Sequence, residues 1–196
     1  MERLSDEQLM ARFQRGELRA FEELLERHRG GIFRFILRFV GQRETAEDLL
    51  QEVFLRLVAK KLSFAQRAKF TTWLYTIARN QCIDHLRRAR HRKTASLDQA
   101  LNPGAEGEVR LMDRIPAKAK GTDQQAHEHR LRKNISQAVG ELSDEQREVF
   151  LMREEGGLAF DEIAGIVGAP LNTVKSRMRY ALRALKANLQ AQGVEL

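Results

Sequence analysis

From Leu4 to about Leu86 apolar side chains recur three and four positions apart, and no stretch of useful length alternates apolar with polar. That period places the apolar residues on one face of a helix, so the first half of the chain is predicted to be helical throughout. The segment "SDEQLMARFQRG" opens with Ser5 as an N-cap and Gln8 three residues on, a capping box, and stops near Gly16. A second helical stretch, "LRAFEELLERHRGGIFRFILRFVG", ends at Gly41 and is expected to break at Gly30 and Gly31. "ETAEDLLQEVFLRLVAKK" and "FTTWLYTIARNQCIDHLRRARHRK" supply a third and a fourth helix.

From 94 to 125 the periodicity lapses into a stretch holding two of the three prolines, which reads as a flexible linker. Within it only "VRLMDRI" has enough apolar character to dock. Four more helices follow, in "HEHRLRKNISQAVGEL", "SDEQREVFLMREEG", "AFDEIAGIVG" and "LNTVKSRMRYALRALKANLQ", with Ser143 and Asp161 as cap or first-turn residues. The expected fold is all-α: two small helical domains, 1–93 and 126–196, joined by the linker 94–125, the second containing a helix-turn-helix.

The formal net charge is +7, with 20 basic against 12 acidic residues in 1–93 and 10 against 10 in 126–196, so the excess sits in the N-terminal part and points to a polyanionic partner there. Cys82 is the only cysteine, which excludes an internal disulfide and a cysteine-rich zinc site. The N-terminal residues are too charged for a signal peptide, and the most apolar run, "IFRFILRFV", is interrupted by Arg34 and Arg38, so a cytoplasmic protein without membrane insertion of its own is expected. No phosphate-cradling glycine loop, metal-ligand cluster or nucleophile–base pair is visible, so neither an enzyme nor a cofactor is implied.

In "IAGIVGAPLNTVKSRMRYALRAL" a short helix, a turn at Gly168 and a longer basic helix outline a duplex-DNA reader. Val174, Met178, Ala181 and Leu185 form an inward stripe, with Ile163 and Val167 facing it from the shorter helix. The outward side then carries Asn172 and Thr173 at the helix start, followed by Lys175, Ser176, Arg179 and Arg183, with Arg177 and Tyr180 at its flanks. Such a face fits a major groove, where Arg or Lys reads guanine and first-turn groups hold phosphate. The competing reading is a solvated basic surface.

In the N-terminal half, Asp48, Gln51, Glu52 and Leu55 share one face of the third helix, while Leu50, Phe54, Leu57 and Val58 are expected in the core. Taken bare, this acidic seam reads as solvated surface. Further on, Phe64, Phe70, Trp73 and Tyr75 precede a basic run ending in Arg87, Arg88, Arg90, Arg92 and Lys93, the pairing of aromatics and cations that holds unstacked bases. Singly, Trp73 and Tyr75 read as core residues, and Asp84 with Arg87 and Arg88 as surface ion pairs.

Together, "AEDLLQEVFLRL", "FTTWLYTIARNQCIDHLRR" and "EEGGLAFDEIAGIVGAPLNTVKSRMRYALRAL" resemble, in order and spacing, a bacterial sigma factor of the extracytoplasmic-function group. The resemblance covers nearly the whole chain. It implies a subunit that binds core RNA polymerase, recognises promoter DNA both as duplex and as melted non-template strand, and is held in check by a separate anti-sigma protein. Asp48, Gln51, Glu52 and Phe54 match the helix that docks on the polymerase. Leu62, Ser63, Phe64, Ala65 and Gln66 match the loop that receives a flipped base of the minus-ten element, and Asn80, Asp84, Arg87 and Arg88 lie on the helix beside it. The second domain's outward face matches the reader of the minus-thirty-five element. Two other classes remain open at this point: a helix-turn-helix regulator with an N-terminal sensor or dimerisation domain, and a sigma-like decoy for an anti-sigma protein. A ligand sensor needs neither the "DLLQEVF" seam nor the aromatic–basic stretch.

Overall fold

The computed structural model describes residues 4–65, 69–99 and 123–194, and every regular element among them is helical. The chain divides into two compact units, Met1–Asp113 and Arg114–Leu196. The first contains α1 (Asp6–Gln14), α2 (Leu18–Val40), α3 (Arg43–Ala59) and α4 (Phe70–Gln99); the second contains α5 (Asp123–Gly140), α6 (Asp144–Glu154), α7 (Phe160–Val167) and α8 (Leu171–Ala191). Helix therefore covers 94–99 and 123–125 of the expected linker, and "VRLMDRI" lies outside the described residues.

The capping box at the start of α1 forms as the spacing predicts: Gln8 N–H donates to Ser5 Oγ at 3.2 Å, and Ser5 N–H donates to Gln8 Oε1 at 2.9 Å. In the second unit Ser143 caps α6 by accepting from Gln146 N–H at 3.3 Å, while Asp161 stands in the first turn of α7 rather than at its cap.

The expected break at Gly30 and Gly31 does not occur, and α2 runs unbroken for 23 residues. Two helical glycines cost about 1 kcal/mol each, whereas Leu24, Ile32, Phe35, Ile36 and Phe39 are all buried on one side of α2, each contributing about 1.5–3 kcal/mol. Burial wins by a wide margin. Gly31 faces the Tyr75 hydroxyl of α4, where a Cβ would make an ordinary contact at 3.4 Å. Around this crossing Phe35 meets Tyr75 edge-on at 5.2 Å between ring centroids.

The core side of α3 meets expectation at Phe54 and Leu57 and departs from it at Leu50 and Val58. Ala46, Leu49, Val53, Phe54 and Leu57 are buried, while Leu50 is half-buried and Val58 is exposed. Cys82 is buried in α4, and burial pushes its thiol well above the ordinary range, which makes it a small apolar packing residue.

Candidate nucleic-acid and polymerase interfaces

In the second unit the inward stripe of α8 is as the sequence predicts: Val174, Met178, Ala181 and Leu185 are all buried, as is Ile163 of α7, with Val167 half-buried. The turn between the two helices closes at Gly168, whose φ of +67° is open to glycine, and its N–H donates to Ala164 O at 3.0 Å. Burying that stripe forces the opposite side of α8 outward, so Asn172, Thr173, Lys175, Arg179, Tyr180 and Arg183 are exposed and Ser176 is half-buried. The Arg179 guanidinium lies 5.3 Å from the centre of the Tyr180 ring, a cation–π contact that steadies it at the surface. A shallow groove beside these groups is lined by Phe160, Met178 and Leu182 together with Lys175, Arg179, Arg183 and Lys186. The exposed Leu182 was not foreseen; its place three residues after Arg179 on the presented face is the signal for it.

Arg177 departs from the expected role. Its guanidinium is turned toward α6, 3.6 Å from a Glu148 carboxylate that is itself only 5% exposed. A half-buried Arg against a buried acid holds α8 on α6, so this side chain is committed to the packing of the unit.

In the first unit Asp48, Gln51 and Glu52 are exposed along one side of α3 with Leu55, which is 69% exposed, as the helical spacing predicts. Phe54, grouped with them in the sequence, is buried and supports the seam from inside. Glu52 is also tethered: its carboxylate accepts from the side-chain amide of Gln81 at 2.9 Å, and Gln81 is wholly buried on α4. Gln81 carries no pattern in the sequence that would have marked it.

Between α3 and α4 the chain makes a short 3₁₀ turn, Lys61–Ser63, and passes Phe64. Leu62 is 78% exposed, and Ser63 and Ala65 are exposed; Gln66 lies outside the described residues. Phe64, expected in the base-receiving loop, is buried, with its ring centroid 5.2 Å from that of Trp73 and 6.1 Å from that of Phe70. The aromatic cluster is thus largely core, with Trp73 half-exposed at its edge. Along α4, Asn80, Asp84, Arg87 and Arg88 follow one another at helical spacing, exposed except for the half-buried Asp84. Arg88 Nε donates to the Asp84 carbonyl at 3.2 Å rather than to its carboxylate. Beyond them His85, Arg88, His91 and Arg92 line a basic hollow. Burial first, then the charges of Arg92 and Arg88, hold His85 below the ordinary histidine range.

Two helical units, one with an acidic seam and the other with an outward basic helix face, match known proteins in the same order. Residues 24–92 match the model for Sigma-70 region 2, and residues 132–185 match that for Sigma-70 region 4. The RNA polymerase sigma-H factor of Pseudomonas aeruginosa is 32% identical over 188 residues, spanning 94% of each chain. The chain belongs to the extracytoplasmic-function group of the sigma-70 family. The group's factor SigL of Mycobacterium tuberculosis is 34% identical over 173 residues, covering 87% of this chain and 89% of its own. Among solved structures, the sigma factor RpoE of Bartonella quintana, crystallised with the anti-sigma factor NepR, matches with a TM-score of 0.67 at 25% identity, over 87% of this chain and 96% of that one. As a sigma factor the chain directs transcription initiation, and the match over 24–92 leaves the sensor-domain reading without support. Among the described residues no helix is long and apolar enough to cross a membrane.

Proposed function

We propose that the two units of this sigma factor divide promoter recognition between them while one face of the first docks on core RNA polymerase in the cytoplasm. The division assigns 1–93 to polymerase binding and the minus-ten element, 94–125 to a linker and 126–196 to the minus-thirty-five element. Asp48, Gln51 and Glu52 form the polymerase contact, with Leu55 as its exposed apolar member. Leu62, Ser63 and Ala65, with Gln66, receive a base lifted from the stack, and Asn80, Asp84, Arg87 and Arg88 hold the strand beside it. Asn172, Thr173, Lys175, Ser176, Arg179, Tyr180 and Arg183 read duplex DNA. The reading rests above all on the burial of the α8 stripe, which leaves that set of donors facing outward from a helix whose start is free to approach phosphate.

Regulation by a separate anti-sigma protein fits this chain, because the Bartonella relative of the same fold was crystallised in complex with one. The test of the whole proposal is to mix the full chain with bacterial core polymerase and follow co-migration on a sizing column, then transcription from duplex promoters. Co-migration with promoter-dependent transcripts supports the reading; binding without transcription favours the decoy, and failure to co-migrate removes both the polymerase contact and the division built on it.

Two neighbouring arginines of α8 should separate cleanly. Arg177→Ala is expected to lower the stability of the second unit by about 1–3 kcal/mol, because a buried acid loses a charged partner, while sequence preference stays as it was. Arg179→Ala is expected to leave stability within about 0.5 kcal/mol, yet cost about 1–3 kcal/mol of binding and change the preference at one position of the minus-thirty-five element. Urea unfolding and titration against single-position promoter variants distinguish them. If Arg179→Ala weakens all sequences equally, it holds phosphate and reads no base.

A further inference from the structure

The loop between α3 and α4 is fastened at both ends by α1. Gln14, the last residue of α1, donates from Nε2 to the carbonyl of Lys61 at 2.7 Å and to that of Phe64 at 3.1 Å, so one amide brackets Leu62 and Ser63. Glu7, two turns earlier on the same helix, accepts from Phe70 N–H at 3.0 Å. Phe70 is the first residue of α4, where a backbone N–H has no partner within its own helix. Between these two ties the Lys61 ammonium lies 4.7 Å from the centre of the Phe13 ring. The bonded partners are 47, 50 and 63 residues apart, so the chain's local geometry does not supply these bonds.

Helix α1 is itself firmly seated. Leu9, Met10 and Phe13 are buried, and Asp6 at its start accepts from Arg27 at 2.8 Å and pairs with His28 at 2.6 Å on α2. The loop's own contacts are local: Ser63 N–H and Oγ both donate to the Lys60 carbonyl, at 2.9 and 2.7 Å, and Phe64 is its one buried side chain among the described residues, while Leu62, Ser63 and Ala65 are exposed. A pocket that discriminates bases must be held to about half an ångström, and the ties from α1 fix this turn against the rest of the unit.

We infer that Gln14 and Glu7 are positioning residues for base selection, and that α1 is a splint setting the shape of the segment Leu62–Ala65. The inference rests on the reading of that loop as the base-receiving element. Helix α1 precedes the matched stretch 24–92, so the assignment comes from these contacts alone. The chemistry of the tie is specific. An amide offers two N–H donors to two carbonyls, whereas a carboxylate of the same shape offers none and repels both oxygens.

The test uses holoenzyme assembled from the full chain and bacterial core polymerase, exposed to a short randomised single-stranded DNA library that is sequenced before and after selection. The parental protein is expected to enrich one base at the position facing the loop. Gln14→Glu is expected to reduce that enrichment about tenfold, while affinity for core polymerase and helix content remain parental. Glu7→Ala should act in the same direction, and Glu7→Gln, which keeps an acceptor for Phe70 N–H, should retain the preference. Measuring preference only on polymerase-bound molecules removes any contribution from unfolded chain. If the parental preference survives both Gln14→Glu and Glu7→Ala, the splint is overturned and the base-pocket reading stands. If the parental holoenzyme has no preference at any position, the reading of the loop falls first and the splint with it.

Discussion

Replacing Phe64 with Ala is expected to lower the stability of the first unit by about 3–4 kcal/mol, the range for emptying a well-packed aromatic site. The ring is buried against Trp73 and Phe70, and the ties from Gln14 prevent the loop from collapsing freely into the space left. Trp73 is the only tryptophan in the chain and packs on the missing ring, so its fluorescence during urea unfolding reports the loss directly. Reduced promoter opening by this variant would then follow from unfolded or displaced loop rather than from a lost base contact. Leu62→Ala and Ser63→Ala provide the contrast: both side chains are exposed, and Ser63→Ala gives up one solvent-exposed hydrogen bond, from Ser63 Oγ to the Lys60 carbonyl at 2.7 Å, so each should change stability by no more than about 1 kcal/mol. If the loop receives a flipped base, these two reduce opening on duplex promoters, and a pre-melted minus-ten bubble restores part of the loss. Permanganate footprinting of unpaired thymines measures it. Should Phe64→Ala unfold at the parental urea midpoint and still fail to open promoters, the ring acts on DNA after all.

The difference between Phe64 and its neighbours shows where sequence reading succeeds. A strict stripe flanked by charges, such as Val174, Met178, Ala181 and Leu185, admits one orientation of the helix, and all four are buried. The Ser5–Gln8 box is equally legible because its partners are three residues apart. In α3 the run "LLQEVFLRLV" has apolar residues around more than half the circumference, so several phases bury a comparable area. Packing against α2 and α4 selects Leu49 and Val53 over Leu50 and Val58. Arg177 misleads for a related reason. A cation at the flank of a helix has the same local pattern whether it meets a phosphate or an acid on another helix, and Glu148 has no sequence relation to it. Gln14 and Gln81 are invisible for that reason too, since a single amide becomes informative only when the fold supplies its distant partner.

The acidic seam carries the other large effect. Asp48→Ala combined with Gln51→Ala is expected to weaken binding to core polymerase by about 3 kcal/mol, or roughly a hundredfold, if the two sit near the centre of the docking face. Both side chains are exposed, and alanine is the strongest helix former, so α3 should be as stable as before or slightly more so. Glu52 is left unchanged on purpose: its carboxylate accepts from the buried side-chain N–H of Gln81, and removing it would disturb the α3–α4 contact together with the interface. Leu55 remains to contribute apolar area, which separates the polar share of the binding energy from the rest. Titration of core polymerase with the variant, checked by circular dichroism, measures the loss. Because Asp48 is a solvent-facing charge, the penalty should shrink as salt is raised through the range where the screening length falls below about 8 Å. Parental affinity in the double variant would return the seam to ordinary solvated surface and move the polymerase contact elsewhere on the first unit.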